Sequence, residues 1–174
     1  MNYYLLAAGT VFIILFSWFL SIQYKRYHGI ARFFAFESIL LLVLMNQKVW
    51  FRTPFSTAQI FSWILLFLSA YLAIAGFIML KSKGRPDINF ENTSVLVNTG
   101  LYKFIRHPLY LSILLFGTGV ILKQARIIQI CLGILNLAAI YVTARIEEKE
   151  MIAKFGGQYR DYMRQTKMFI PFLF

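Results

Sequence analysis

The chain has 174 residues, of which 59% are hydrophobic and 14% charged, with a formal net charge of +11. A soluble domain carries roughly 25% charged residues, so a water-soluble fold of this size is excluded and a bilayer is the solvent for the apolar surface. The basic excess lies in short segments beside apolar runs, where each Lys or Arg gains ~1 kcal/mol from anionic headgroups. That accounts for the charge without nucleic acid.

The first apolar run, Leu5 to Ile22, approaches the ~20 residues that cross a ~30 Å hydrocarbon core. It has no basic leader and no small-residue cleavage site, which predicts a retained helix rather than a signal peptide. Phe33 to Met45 is a second span and carries Glu37, an intramembrane carboxyl and hence a functional candidate with Arg32 as its expected partner. Ile60 to Leu80 is a third. Pro108 to Leu122 and Ile127 to Val142 are shorter, and Lys123-Gln124-Ala125-Arg126 between them predicts a tight helical hairpin. Cys131, the single cysteine, falls within the fifth run and is expected to be a packed thiol with no disulfide. Two histidines in the whole chain leave no dedicated metal or haem site. The expectation is an all-α integral membrane protein of about five transmembrane helices with a C-terminal amphipathic helical tail. It forms one domain, in which residues 1–80 supply three helices and 81–174 the catalytic half.

With five spans, 14 of the 18 basic residues fall on one side, leaving Lys48, Arg52, Lys123 and Arg126 on the other. The positive-inside rule then places the N-terminus outside and the C-terminus in the cytoplasm. All seven acidic residues lie on the basic side or at its edge.

Two polar segments on that side carry candidate chemistry. In Asn98-Thr99-Gly100-Leu101-Tyr102-Lys103-Phe104-Ile105-Arg106-His107-Pro108-Leu109-Tyr110, the proline starts a helix without losing a needed N–H. Arg106 and His107 therefore precede the positive end of a helix, a natural place for an anion. Arg106 adds a planar fork for a carboxylate or phosphate, Gly100 permits close backbone approach, and Tyr102 and Tyr110 offer aromatic walls. The second segment is Arg145-Ile146-Glu147-Glu148-Lys149-Glu150. Arg145 and Glu148 share a helical face, and Glu147 points elsewhere. Met151, Phe155, Tyr159 and Tyr162 continue as an apolar stripe, which Gly156-Gly157 interrupts, so two short helices are expected before an apolar plug from Phe169 to Phe172. Both segments flank the same hairpin and can meet as a site for a zwitterionic ligand.

The run from Gly100-Leu101-Tyr102 to Arg106-His107-Pro108-Leu109-Tyr110 resembles the G-x-Y…R-H-P-x-Y motif of the isoprenylcysteine carboxyl methyltransferase family and its phospholipid methyltransferase relatives. Arg145-x-Glu147-Glu148, Phe155-Gly156, Tyr159, Tyr162 and Ile170-Pro171 resemble the second half of the pattern. The likeness covers roughly residues 95–172. It implies a membrane-embedded, S-adenosylmethionine-dependent methyltransferase acting on a lipophilic small molecule or lipid. On that analogy Arg106, His107, Tyr110 and Glu147 contact the cofactor, Gly100 and Tyr102 shape its pocket, and Arg145 and Glu148 face the acceptor. Membrane sterol reductases, which use NADPH, carry a related R-H-P-x-Y segment and are the enzymatic alternative. A non-catalytic lipid-binding scaffold is the other.

Overall fold

The computed structural model describes residues 2–86 and 93–171. Six α-helices follow in order: α1 Tyr3–Leu20, α2 His28–Asn46, α3 Thr57–Lys83, α4 Pro108–Lys123, α5 Ile127–Phe155 and α6 Gly157–Gln165. The side chain of Asn2 caps α1 by accepting from the amides of Tyr4 and Leu5. Pro108 opens α4 at its first position, where a missing N–H costs nothing.

α1, α2, α3 and α5 belong to segments long and apolar enough to cross a membrane, whereas α4 is a shorter apolar helix. The 16 residues of α4 rise only about 24 Å, less than a hydrocarbon core of ~30 Å. α5, with 29 residues, is longer than such a core by the same measure. Among the described residues the chain is a helical, multi-pass membrane protein.

Spatial order differs from chain order. α1 packs on α2, α2 on α5, α5 on α4, and α4 on α3. Lipid offers no hydrophobic drive for helix association, so close approach of small residues and interhelical hydrogen bonds hold such bundles together. Ser62 donates to the carbonyl of Gly119 at 2.6 Å, and Ser69 to that of Ser112 at 2.7 Å, joining α3 to α4. A Cβ on Gly119 would lie about 3.1 Å from Leu66 and 3.2 Å from the Ser62 carbonyl, so any larger residue would press the two helices apart by a few tenths of an ångström. Asn136 on α5 donates to the Ala35 carbonyl and to Ser38 on α2. At the end of the bundle remote from α6, Lys123 is buried over the Trp63 ring, 3.5 Å from its centroid, and bonds Gln59 at 3.0 Å.

Four sequence expectations change. The predicted pair of short tail helices is instead one long α5 that runs unbroken through Met151 and Phe155, followed by α6. The break is a single residue, Gly156, at φ 58° and ψ −125°. Arg32 does not pair with Glu37: it donates to Ser21 at 2.8 Å and lies over the Phe16 ring, and Glu37 accepts from Thr10 on α1 at 2.8 Å. Five positions apart on a helix, the two side chains point about 140° apart, so each finds its partners on α1 and the turn after it instead. Cys131 is exposed on the outer face of α5 rather than packed. Of the C-terminal plug, Phe169 is buried and Ile170 half exposed, and Phe172 lies outside the described residues. Asp87 and Glu91, counted with the basic side, also lie outside them.

Candidate active site

The first turn of α4, the last third of α5 and α6 converge at one end of the bundle. Gly100, at φ 62°, turns the chain into a short 3-10 helix over Gly100–Lys103. This turn places Tyr102 inward, with its hydroxyl 3.4 Å from the Gly76 carbonyl of α3. The strand-like segment after it pairs with the residues following α6. The amide of Arg106 donates to the Lys167 carbonyl at 2.8 Å, and that of His107 to Met168 at 3.2 Å. Tyr162 on α6 donates to the Tyr102 carbonyl at 2.6 Å. The C-terminal segment is thus stitched to the loop that starts α4.

Charge is concentrated at this seam. Arg106 donates through Nε to Glu148 Oε1 at 2.7 Å, and through Nη1 to the carbonyls of Met163 and Thr166. Its Nη2 makes no hydrogen bond among the described residues. His107 sits between the two glutamates, with Nδ1 3.5 Å from Glu147 Oε2 and Nε2 3.5 Å from Glu148 Oε1. The Nε2 contact is an ionic approach without hydrogen-bond alignment, so this buried nitrogen is unsatisfied within the protein. Burial pulls the His107 pKa down, but the facing carboxylates of Glu147 and Glu148 outweigh it and raise it above the ordinary value. In the charged form that this favours, both ring nitrogens are donors. The His107 ring stacks on Tyr110 at 5.3 Å. Burial first, then the nearby Glu147 carboxylate, pushes the phenols of Tyr102 and Tyr159 far up, and burial does the same to Tyr162. These remain neutral hydrogen-bonding hydroxyls.

A cleft opens beside this cluster, with about 700 Å³ of space that is continuous with solvent. Tyr102, Arg106, His107, Tyr110 and Glu147 line it. Tyr159, Tyr162, Met151 and Phe155 complete it from α6 and the end of α5, and Leu80, Thr93, Leu96, Val97 and Leu109 form the opposite wall. Three anticipated residues lie off this cavity. Gly100 is exposed and packs against Met79, so its contribution is to the turn. Glu148 is buried behind the lining, where Arg106 occupies it. Arg145 is half exposed, 3.9 Å from Glu148, and lines a separate depression with Tyr141, Met163 and Lys167. Adjacent positions on a helix point about 100° apart, so Glu147 and Glu148 cannot serve one cavity equally.

Sequence reasoning missed a supporting cluster. Glu150 accepts from Arg26 Nε at 3.1 Å and approaches His28 Nδ1 at 3.0 Å, and the other ring nitrogen of His28 is 3.3 Å from Ser21. This network ties the α1–α2 turn to α5 one turn beyond Glu147. No spacing rule signals it, because its members lie more than 120 residues apart.

The family model for phospholipid methyltransferases matches residues 57–158, more than half of the chain. The chain belongs to this family. The matched region contains α3, α4, α5 and every charged residue lining the cavity. Methanethiol S-methyltransferase 2 of Bradyrhizobium diazoefficiens is 30% identical over 151 residues, covering 79% of this chain and 58% of the relative. Methanethiol S-methyltransferase of Crocosphaera subtropica is 34% identical over 73 residues, 41% of this chain and 28% of the relative. Protein-S-isoprenylcysteine O-methyltransferase of Saccharomyces cerevisiae is 32% identical over 84 residues, 48% of this chain and 35% of the relative. The chain spans less than two thirds of the length of these curated relatives. No solved structure matches it.

Proposed function

We propose that this chain is a membrane methyltransferase that takes its methyl group from S-adenosylmethionine and passes it to a lipophilic nucleophile at the cytoplasmic face. One observation carries the reading: a single cleft sets the Glu147 carboxylate beside Arg106 and His107, with aromatic and aliphatic walls around them. Family membership points to the reaction class, and 14 of 18 basic residues at this end support the cytoplasmic orientation.

The residues fit the donor's chemistry. The amino-acid moiety is a zwitterion, and the unsatisfied His107 Nε2 and the spare Arg106 Nη2 are donors for its carboxylate. Glu147 is an acceptor for its ammonium, and Tyr159, Phe155, Met151 and Val97 form a slot for the purine. When bound, the sulfonium supplies a methyl group activated for in-line displacement, in which the acceptor's lone pair forms the new bond as the S–C bond breaks. The protein's own work is then to orient the reactants and exclude water. Tyr162 and Arg106 hold α6 against the cavity, closing it on the aqueous side. Glu148 acts as a positioning residue that fixes Arg106. Leu80 and Leu109 offer the acceptor an apolar wall toward the hydrocarbon. The relatives' names include an S-methyltransferase of methanethiol and an O-methyltransferase of isoprenylcysteine, and fold does not choose between sulfur and oxygen acceptors.

Calorimetric titration of detergent-purified protein with S-adenosylmethionine and NADPH tests this. Saturable binding of the methyl donor, weakened about 10- to 100-fold by Glu147→Gln, is the expected result, since a hydrogen bond to a charged group contributes about 1.5–3 kcal/mol. Binding of NADPH alone would move the protein to the reductases. Binding of neither by folded protein would leave a lipid-binding scaffold.

A further inference from the structure

The second depression, on the opposite side of the Arg106–Glu148 pair, has a different character from the donor cavity. Arg106, Tyr141, Arg145, Met163, Lys167 and Met168 line it, with about 580 Å³ of open space. Its two exposed cations come from separate elements: Arg145 from α5, and Lys167 from the segment after α6. Glu148 is the nearest acid, but its 2.7 Å bond to Arg106 leaves only a 3.9 Å approach to Arg145. The depression therefore sets three cations, Arg106, Arg145 and Lys167, against the one carboxylate of Glu148 and keeps an excess of positive charge.

Arg145 also ends a lipid-facing stripe. Ile130, Ile134, Leu137 and Tyr141 repeat at three- and four-residue spacing, are 41–63% exposed, and lead directly to it. From Ile130 to Arg145 the helix rises about 22 Å, more than half of a ~30 Å hydrocarbon core and so at least one leaflet deep. An apolar track of leaflet depth that ends in two cations at the membrane boundary matches an amphiphile with an anionic head. A free anion would use the cations and leave the track without purpose.

We infer that the Arg145–Lys167 depression binds the headgroup of an anionic phospholipid, whose chain lies along the Ile134–Leu137–Tyr141 face of α5. The headgroup bridges α5 to the segment after α6. That segment also carries the Lys167 and Met168 carbonyls that pair with Arg106 and His107. The bound lipid thus clamps the closing element of the donor cavity from outside.

Titration of detergent-purified protein with acyl-labelled phosphatidylglycerol, and with phosphatidylcholine of the same label, tests the site. The wild type should bind phosphatidylglycerol saturably and more tightly than phosphatidylcholine. Arg145→Gln/Lys167→Gln should weaken phosphatidylglycerol about 30-fold, from ~1 kcal/mol per cation and tenfold per 1.4 kcal/mol. Lys25→Gln/Lys81→Gln removes two exposed cations from the same end of the bundle but outside the depression, and should change affinity by less than about twofold. Equal losses in the two double variants would overturn the site in favour of diffuse attraction. So would equal binding of the two lipids. Displacement by glycerol phosphate at concentrations comparable to the lipid would overturn the lipid assignment in favour of a soluble anion. None of these measurements involves the methyl donor, so the lipid site and the proposed enzymatic activity fail separately.

Discussion

Arg106 and Glu148 form a 2.7 Å ion pair that bridges 42 residues of sequence and joins the start of α4 to the far part of α5. Both side chains are nearly buried, at 9% and 3% exposure. The same guanidinium holds two carbonyls at the end of α6, so one residue organises three elements. Breaking such a pair leaves a buried charge, which costs about 3–5 kcal/mol. Arg106→Ala and Glu148→Ala should each lower the unfolding midpoint strongly, and the double variant by less than their sum. Additive losses in a double-mutant cycle would show that the pair is not coupled.

Glu147 differs from its neighbour because it faces the cavity and is 20% exposed. Glu147→Gln should lower the thermal midpoint less than Glu148→Gln, because Glu147 is partly exposed and faces the His107 ring, whereas buried Glu148 also holds Arg106. Its donor affinity should fall while Glu148→Gln loses stability first. Parallel melting and titration of the two variants separates these roles.

The raised pKa of His107 has a defined sign. The folded value lies above 6.5, so the charged ring's contribution is complete below pH 6.5 and is lost as pH climbs through the raised value. Stability should therefore decline from neutral toward alkaline pH, and His107→Gln should flatten that limb. An unchanged slope in the variant would assign the decline to another group.

Tyr162 holds α6 to the loop before α4 through the Tyr102 carbonyl. Tyr162→Phe keeps the ring and removes the hydroxyl, costing about 1 kcal/mol. If α6 closes the donor cavity, amide hydrogen exchange should rise in α6 and in the Gly100–Lys103 turn together. Exchange confined to α6 would argue that the two are not linked by this bond.

Gly156 ends α5 at a backbone conformation that L residues rarely adopt, and a Cβ there would meet nothing within 4 Å. Gly156→Ala should then destabilise by strain alone, about 1–3 kcal/mol, whereas Gly157→Ala, in the first turn of α6, should be nearly neutral. Melting curves of the two variants check this. Equal effects would point to lost flexibility rather than to the turn.

The five apolar runs, the Pro108 start of α4 and the clustering of basic residues toward one end were all legible along the chain. Each is a local property: hydrophobic length, a missing N–H, or a charge count against bilayer thickness. The candidate cluster of Arg106, His107, Tyr110 and Glu147 was legible as well, because two short dense motifs flank one hairpin and short connections force neighbours together. What no local rule supplies is how the helices sort in space and which side chains face inward. α1 packs on α2, which packs on α5, and His28, Arg26 and Glu150 meet from opposite ends of the chain. Glu147 opens on the cavity while Glu148 is taken by Arg106, a difference of one helical step that depends on the rotation of α5 against α4. Helix rotation and pairing depend on small-residue contacts and interhelical hydrogen bonds, such as Ser62 to Gly119 and Asn136 to Ala35. Those contacts exist only after the bundle has closed, so the division of labour between two adjacent glutamates is a property of the assembled fold.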